Sequence, residues 1–317
     1  MMYRFIRPAR KINRILCSFL LLTGLFLGSC KTEIGEGDKT WNDMVEPFRK
    51  TADIDGNSLH YIDMGTGKPV VMIHGFADST YCWHENVLPL KIAGYRLIVI
   101  DQPGLGRSDI PPEPYEFTIE NQARAIVRLT EKLGVLKFSV VGHSMGGGIA
   151  LYIMTNHPRR VQKAVLIAPV WSKPPEVQLM TLPGMEFLST HLGGRWSIRM
   201  GLEDAYYDSD KVDAAMVDEY SRPVGKQGYW KMLISLEKQF FSAGFKKMDQ
   251  SCEWVQAPTL IIWGRKDTWV PAEQGRMLNE KMPGSILQVI EDCGHNPHQE
   301  CSTKVNPLLV GFLGAEE

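Results

Sequence analysis

The chain has 317 residues, 44% of them hydrophobic and 22% charged, with 35 basic against 36 acidic side chains. That length supports a sizeable core with an insertion, and the composition excludes a fibre or a mainly disordered chain. The charge is uneven: Arg4, Arg7, Arg10, Lys11 and Arg14 precede residue 30 with no acid among them, which leaves 30 basic and 36 acidic residues in the remainder. An acidic body offers no electrostatic footprint for nucleic acid.

The N-terminal basic run leads into the largely apolar stretch Ile15–Leu27, then Gly28, Ser29 and Cys30. This is the three-part layout of a secretory signal, assigned to residues 1–29. As a helix the apolar stretch would span about 20 Å, short of the roughly 30 Å hydrocarbon core of a bilayer. The sequence LGSC resembles the bacterial lipobox. That resemblance implies acylation of Cys30, export as a bacterial lipoprotein and membrane attachment through an N-terminal lipid. Polar, glycine-bearing residues from Lys31 to Asp38 read as the start of a flexible tether, assigned to residues 30–50. Four cysteines remain in the body, Cys82, Cys252, Cys293 and Cys301. They show neither a C-x-x-C pair nor a metal-ligand spacing, so their pairing stays open.

From Leu59 onward, short β-branched apolar runs alternate with longer amphipathic segments, the pattern of a mainly parallel sheet covered by helices. The predicted strands are Leu59–Asp63, Val70–His74, Leu97–Asp101, Phe138–Gly142, Ala164–Ala168, Leu260–Gly264 and Ile286–Ile290. Most are continuous apolar runs, as strands buried on both faces require. Ile119, Ala123, Ile126, Val127 and Leu133 recur at helical spacing, with Thr118 placed as N-cap and Gly134 as the stop. The alternation breaks at Trp171. Residues 171–247 are rich in Met, aromatics and helix formers and read as an inserted helical cap, which leaves 51–170 and 248–317 as the core.

Phe138 to Ala150 (FSVVGHSMGGGIA) holds a strand, a G-x-S-x-G turn and a small-residue helix start in direct succession. A sharp strand-to-helix turn exposes Ser144 in strained backbone geometry and sets it over a helix N-terminus, where N–H groups favour a developing oxyanion. That context marks Ser144 as the candidate nucleophile.

Taken with His74-Gly75-Phe76, Asp101 to Asp109 (DQPGLGRSD), Gly264 to Pro271 (GRKDTWVP) and Cys293-Gly294-His295, the chain resembles the capped α/β-hydrolase family from about Leu59 to Phe312. The resemblance implies a mainly parallel central sheet flanked by helices, with the cap inserted. A serine hydroxyl needs a base, itself oriented by a third group. Asp267 and His295 follow strands whose C-terminal ends share an edge with Ser144, and the order Ser, Asp, His is the one this fold uses. His298 competes with His295 for the base role; Gly294 and the directly preceding strand favour His295. His143 lies inside the elbow, and His74 belongs to the oxyanion loop. Position assigns the oxyanion hole to the backbone N–H groups of Phe76 and Met145. Trp83, Trp171, Met180, Met185, Phe187, Trp196, Tyr206 and Tyr207 are candidates to line a pocket beneath the cap.

Serine at the elbow argues against the dehalogenase and epoxide hydrolase branches, which use aspartate there. The leading expectation is hydrolysis of a carboxylic ester, or a related acyl bond in a small-molecule substrate, through an acyl-enzyme. Carbon–carbon bond hydrolysis and cofactor-free perhydrolysis on the same triad are the alternatives, and a non-catalytic ligand-binding lipoprotein is the alternative of another class. No cofactor or metal is expected. The Gly104-Leu105-Gly106 stretch sits in the hydrolase pattern rather than in a dinucleotide site.

Overall fold

A computed structural model describes residues 35, 37–172 and 194–315. The signal, Cys30 and the cap residues Met180, Met185 and Phe187 lie outside the described residues. Eight strands form one sheet: β1 Arg49–Ile54, β2 Asn57–Met64, β3 Pro69–Ile73, β4 Arg96–Ile100, β5 Phe138–His143, β6 Val161–Ile167, β7 Thr259–Gly264 and β8 Ile286–Ile290. Their order is β1-β2-β4-β3-β5-β6-β7-β8. The β1–β2 and β2–β4 pairs are antiparallel, and every later neighbour is parallel. All seven predicted strands are present.

The alternation of strand side chains builds two cores, one on each face. Val71 and Ile73 of β3, with Ile98 and Ile100 of β4, pack on the face covered by the helices Ile119–Lys132 and Met145–Asn156. Val70, Met72, Leu97 and Val99 point to the other face, with Trp83, Leu90 and Leu309. Apolar residues on both sides of each strand explain why these strands read as unbroken hydrophobic runs. The helix 119–132 begins as expected: Thr118 Oγ1 accepts from Asn121 N at 3.3 Å, and Gly134 follows its end with φ +69°.

Part of the segment assigned to a tether is regular structure. Residues 39–45 form a helix, 46–48 a single 3₁₀ turn, and β1 starts at Arg49. Asp38 caps that helix through Trp41 N at 2.9 Å, while Trp41 and Val45 are buried in the second core. Only two apolar anchors on a polar helix, and a β1 buried at two of its six positions, left both elements without a clear periodic signal. The expected cap boundary at residue 247 falls inside a helix. Described cap residues form the helices Arg195–Ala205, Ala214–Ser221, Tyr229–Phe240 and Ala243–Ser251, the last of which crosses residue 247.

Trp41→Ala should remove about 3–5 kcal/mol of stability, as expected for a large buried aromatic. A urea melt showing a change within about 0.5 kcal/mol would mean that the segment is an ornament on the fold.

Candidate active site

The Ser144 backbone sits at φ 52°, ψ −118°, in a region that side chains rarely adopt. It is held there by Ser144 N donating to Ile167 O and Val170 N donating to Ser144 O, each at 2.9 Å. The two flanking glycines have a steric reason. A Cβ at Gly142 would strike the Gly146 carbonyl, and one at Gly146 would strike the carbonyls of Ile73 and His74. Close approach of strand and helix, rather than turn flexibility, therefore requires them.

His295 Nε2 lies 3.0 Å from Ser144 Oγ, and His295 Nδ1 lies 2.8 Å from Asp267 Oδ2. The hydroxyl donates to Nε2, and Nδ1–H donates to the carboxylate, which fixes the tautomer. Asp267 Oδ1 accepts from Trp269 N at 2.9 Å and Val270 N at 2.8 Å, so its turn aims the carboxylate. The three residues are almost fully buried. In that low-dielectric setting these contacts are stronger than they would be in water.

The competing histidines are elsewhere. His298 tilts over Trp83 and His143, with ring centroids 4.7 and 4.4 Å away. His143 Nε2 donates to the His295 carbonyl at 3.0 Å. Burial holds both imidazoles well below their ordinary pKa, helped at His143 by the neighbouring imidazoles of His298 and His295. Both are neutral, and His143 supports the His295 backbone. His74 accepts from Gln102 N at Nε2 and donates from Nδ1 to Gly75 O at 2.8 Å, bracing the loop before Phe76.

That loop lies against the elbow, since a Cβ at Gly75 would come 3.3 Å from Ser144 Cβ. Met145 is the first residue of the helix 145–156, where a backbone N–H has no partner within the helix. Phe76 follows the glycine packed on Ser144 and Met145 follows Ser144 itself, the two positions the sequence assigned to the oxyanion hole. The expected pocket residues divide. Trp83 and Trp171 are core residues, and Trp171 Nε1 donates to Gln274 O. Tyr206 is buried and its hydroxyl bonds Gln299, while Trp196 and Tyr207 are more than a third exposed.

Three features escaped the sequence reading. Trp269 stacks on His295 with centroids 5.3 Å apart and planes at 30°, its Nε1 tied to Asp204 Oδ2 at 2.8 Å. It lays an electron-rich face against the imidazole, a setting that favours positive charge on that ring. Asp101 accepts from His60 Nδ1 at 2.7 Å, Thr80 N at 2.6 Å and Arg107 N at 2.8 Å. It welds the end of β4 to β2 and to the segment after the oxyanion loop. Asp78, two residues past Phe76, is buried beside Tyr220 and Cys82, and burial pushes its carboxyl up to about 8. The motif carrying Trp269 and Asp101 was visible, but partners so distant in sequence leave no local signal.

Ser144 bonded to a histidine that is bonded to a buried carboxylate, beside main-chain donors at a helix start, is the geometry of a serine hydrolase. The chain belongs to the α/β hydrolase fold family, whose model matches residues 68–300, and it is a hydrolase of that fold. It is 32% identical to a 2-hydroxy-6-oxononadienedioate/2-hydroxy-6-oxononatrienedioate hydrolase of Dechloromonas aromatica, over 83% of this chain and 93% of that one. It is 27% identical to a 2-hydroxy-6-oxo-6-phenylhexa-2,4-dienoate hydrolase of Comamonas testosteroni, over 89% and 99%. Among solved structures it resembles the meta-cleavage product hydrolase from Pseudomonas fluorescens IP01, with TM-score 0.71 and 25% identity over 84% of this chain and 97% of that one.

An acid held protonated by the fold has a signed consequence. The unfolded Asp78 ionises near 3.9, so between about pH 4 and 8 the folded chain keeps a proton that the unfolded chain has lost. Asp78 therefore makes stability fall as pH rises through that window. Asp78→Asn should flatten the decline, read as the difference in urea midpoints between pH 5 and pH 8. An equal decline in the variant would place the proton elsewhere.

Proposed function

We propose that this chain hydrolyses a carbon–carbon bond next to a ketone in a conjugated dienoate, with Ser144 as nucleophile, His295 as general acid–base, Asp267 as orienter, and Phe76 and Met145 N–H groups as oxyanion donors. The similarity to the Dechloromonas hydrolase over most of both chains carries this reading. It reverses the order that the sequence suggests, in which an ester came first.

In the proposed reaction Ser144 Oγ passes its proton to His295 Nε2 and adds to the ketone carbon. The oxyanion is held by the main-chain donors as the tetrahedral intermediate collapses. Before this addition the proton of the substrate's 2-hydroxyl has moved to C5, leaving a C2 ketone conjugated to the C3–C4 double bond. The C5–C6 bond therefore breaks with its electron pair leaving as a delocalised dienolate, and His295 returns a proton to that fragment. Water, deprotonated by His295, then cleaves the acyl-enzyme to a carboxylic acid and frees Ser144. One water is consumed for each bond cleaved.

The experiment compares a synthetic 2-hydroxy-6-oxo-2,4-dienoate, followed by loss of its dienol absorbance, with p-nitrophenyl esters of increasing acyl length. The dienoate should exceed every ester in kcat/KM by about tenfold or more, and Ser144→Ala should lose about 10⁴-fold on both. A preference for esters would restore the ester reading. A folded wild-type chain that takes no fluorophosphonate label would instead favour a ligand-binding protein.

The same proposal places the enzyme outside the cytoplasm on a lipid at Cys30. Supporting it are the basic and apolar N-terminal run ending in LGSC and the pairing of Cys293 with Cys301, a bond that persists in oxidising compartments. Among the described residues no helix is long and apolar enough to cross a membrane. Cys30→Ser should move the protein from the detergent phase to the aqueous phase in phase separation, and retention with the detergent would refute the anchor.

A further inference from the structure

We propose that the Cys293–Cys301 disulfide is a positioning clamp for the catalytic base, so that turnover at Ser144 depends on its oxidised state. The inference rests on the triad reading and not on the identity of the substrate.

His295 stands five positions beyond the end of β8, on a segment that is neither strand nor helix. Its ring must nevertheless meet Ser144 and Asp267 together, at 3.0 and 2.8 Å. Four main-chain bonds hold the segment: His295 N to Ala205 O at 2.7 Å, His143 Nε2 to His295 O at 3.0 Å, Lys266 N to Cys293 O at 2.9 Å, and Gly294 N to Glu300 Oε2 at 2.6 Å. Two of these rely on groups outside the central sheet. Ala205 ends a cap helix, and Glu300 reaches back from the short helix Pro297–Glu300.

The disulfide joins residues on either side of His295, eight apart in sequence with Cα atoms 6.3 Å apart. It closes a ring containing Gly294, His295 and Glu300. Inside that ring the Glu300 carboxylate is shared, with Oε2 on Gly294 N and Oε1 on Asp208 N at 2.7 Å. Covalent closure thus fixes the distance over which Glu300 must reach, and Glu300 fixes the peptide immediately before His295. A ring this short constrains the unfolded chain less than a long one would. Its location, rather than its contribution to stability, distinguishes it. Cys82 and Cys252 are free and buried, and both lie outside the ring.

Reduction by dithiothreitol delivers two electrons and two protons, leaving two thiols and converting the reagent to its cyclic disulfide. The ligand atoms of Cys293, Glu300 and Cys301 lie within 4.8 Å of one another, so the reduced ring presents a three-ligand set to thiophilic cations, and the assay includes a chelator.

The test uses the full chain in detergent, as isolated, after reduction, and after reoxidation with glutathione disulfide. Mass spectrometry of the tryptic peptide from Met282 to Lys304 reports the pairing, because the disulfide form is lighter by two hydrogens. Saturation kinetics of fluorophosphonate labelling report on Ser144 directly. The expected result is a maximal labelling rate about tenfold lower after reduction, an unchanged half-saturating concentration and recovery on reoxidation, as for a base displaced by a fraction of an ångström. Cys293→Ser/Cys301→Ser should match the reduced enzyme and ignore dithiothreitol; if that variant does not fold, the wild-type cycle decides.

Free thiols at Cys293 and Cys301 in the protein as isolated would overturn the clamp. So would a fully reduced enzyme that melts at a lower temperature yet labels at the original rate. No labelling in either state overturns the triad and the clamp together, whereas an unchanged rate overturns the clamp alone.

Discussion

The left-handed backbone at Ser144 is a local cost that no residue near it relieves by propensity. It persists because the sheet leaves the chain no other course. β5 delivers the chain between β3 and β6, the helix 145–156 must start at once to cover the sheet, and hydrogen bonds to Ile167 O and Val170 N hold both sides of the serine. The glycines at 142 and 146 then follow from contact with neighbouring carbonyls. Strain at one residue is thus the outcome of parallel-strand packing, and it turns the hydroxyl outward, toward the loops that follow β7 and β8.

Those loops explain how much of the site was legible. Ser144, Asp267 and His295 each follow a predicted strand, and parallel strands bring their C-terminal ends to one edge, so strand order and motif order sufficed to collect them. The choice of His295 over His298 was the finest distinction that the sequence supported, and geometry explains it. One imidazole lies between Ser144 and Asp267, while the other is stacked on His143 and Trp83. What sequence could not supply were contacts between distant segments. Trp269 on His295, Asp101 to His60 and Thr80, and the Cys293–Cys301 pair all require knowing which loops meet.

Residues 39–54 show what a polar composition conceals. Polar residues from Lys31 suggested a tether, yet Trp41 and Val45 are enough to dock a seven-residue helix when Asp38 caps it and the Tyr81 hydroxyl reaches the same carboxylate. Periodicity needs several turns to register, whereas docking needs only one well-placed aromatic. The same limit hid β1, whose outer face is solvated and whose partner is the one strand antiparallel to its neighbours on both sides.

Around the candidate base the structure replaces charge with neutral, hydrogen-bonded groups. His143 and His298 are kept uncharged by burial, His74 is fixed as an Nδ1–H tautomer, and Asp78 holds its proton toward pH 8. Had these groups carried charge, each would compete with Asp267 for control of the imidazolium that forms on His295. With them neutral, the Asp267 side chain and the indole face of Trp269 are the groups in contact with that ring placed to answer its charge. Backbone bonds hold the candidate base in position, and in the proposed mechanism Asp267 answers its charge. Separating those duties lets the loop after β8 carry the base without depending on regular secondary structure.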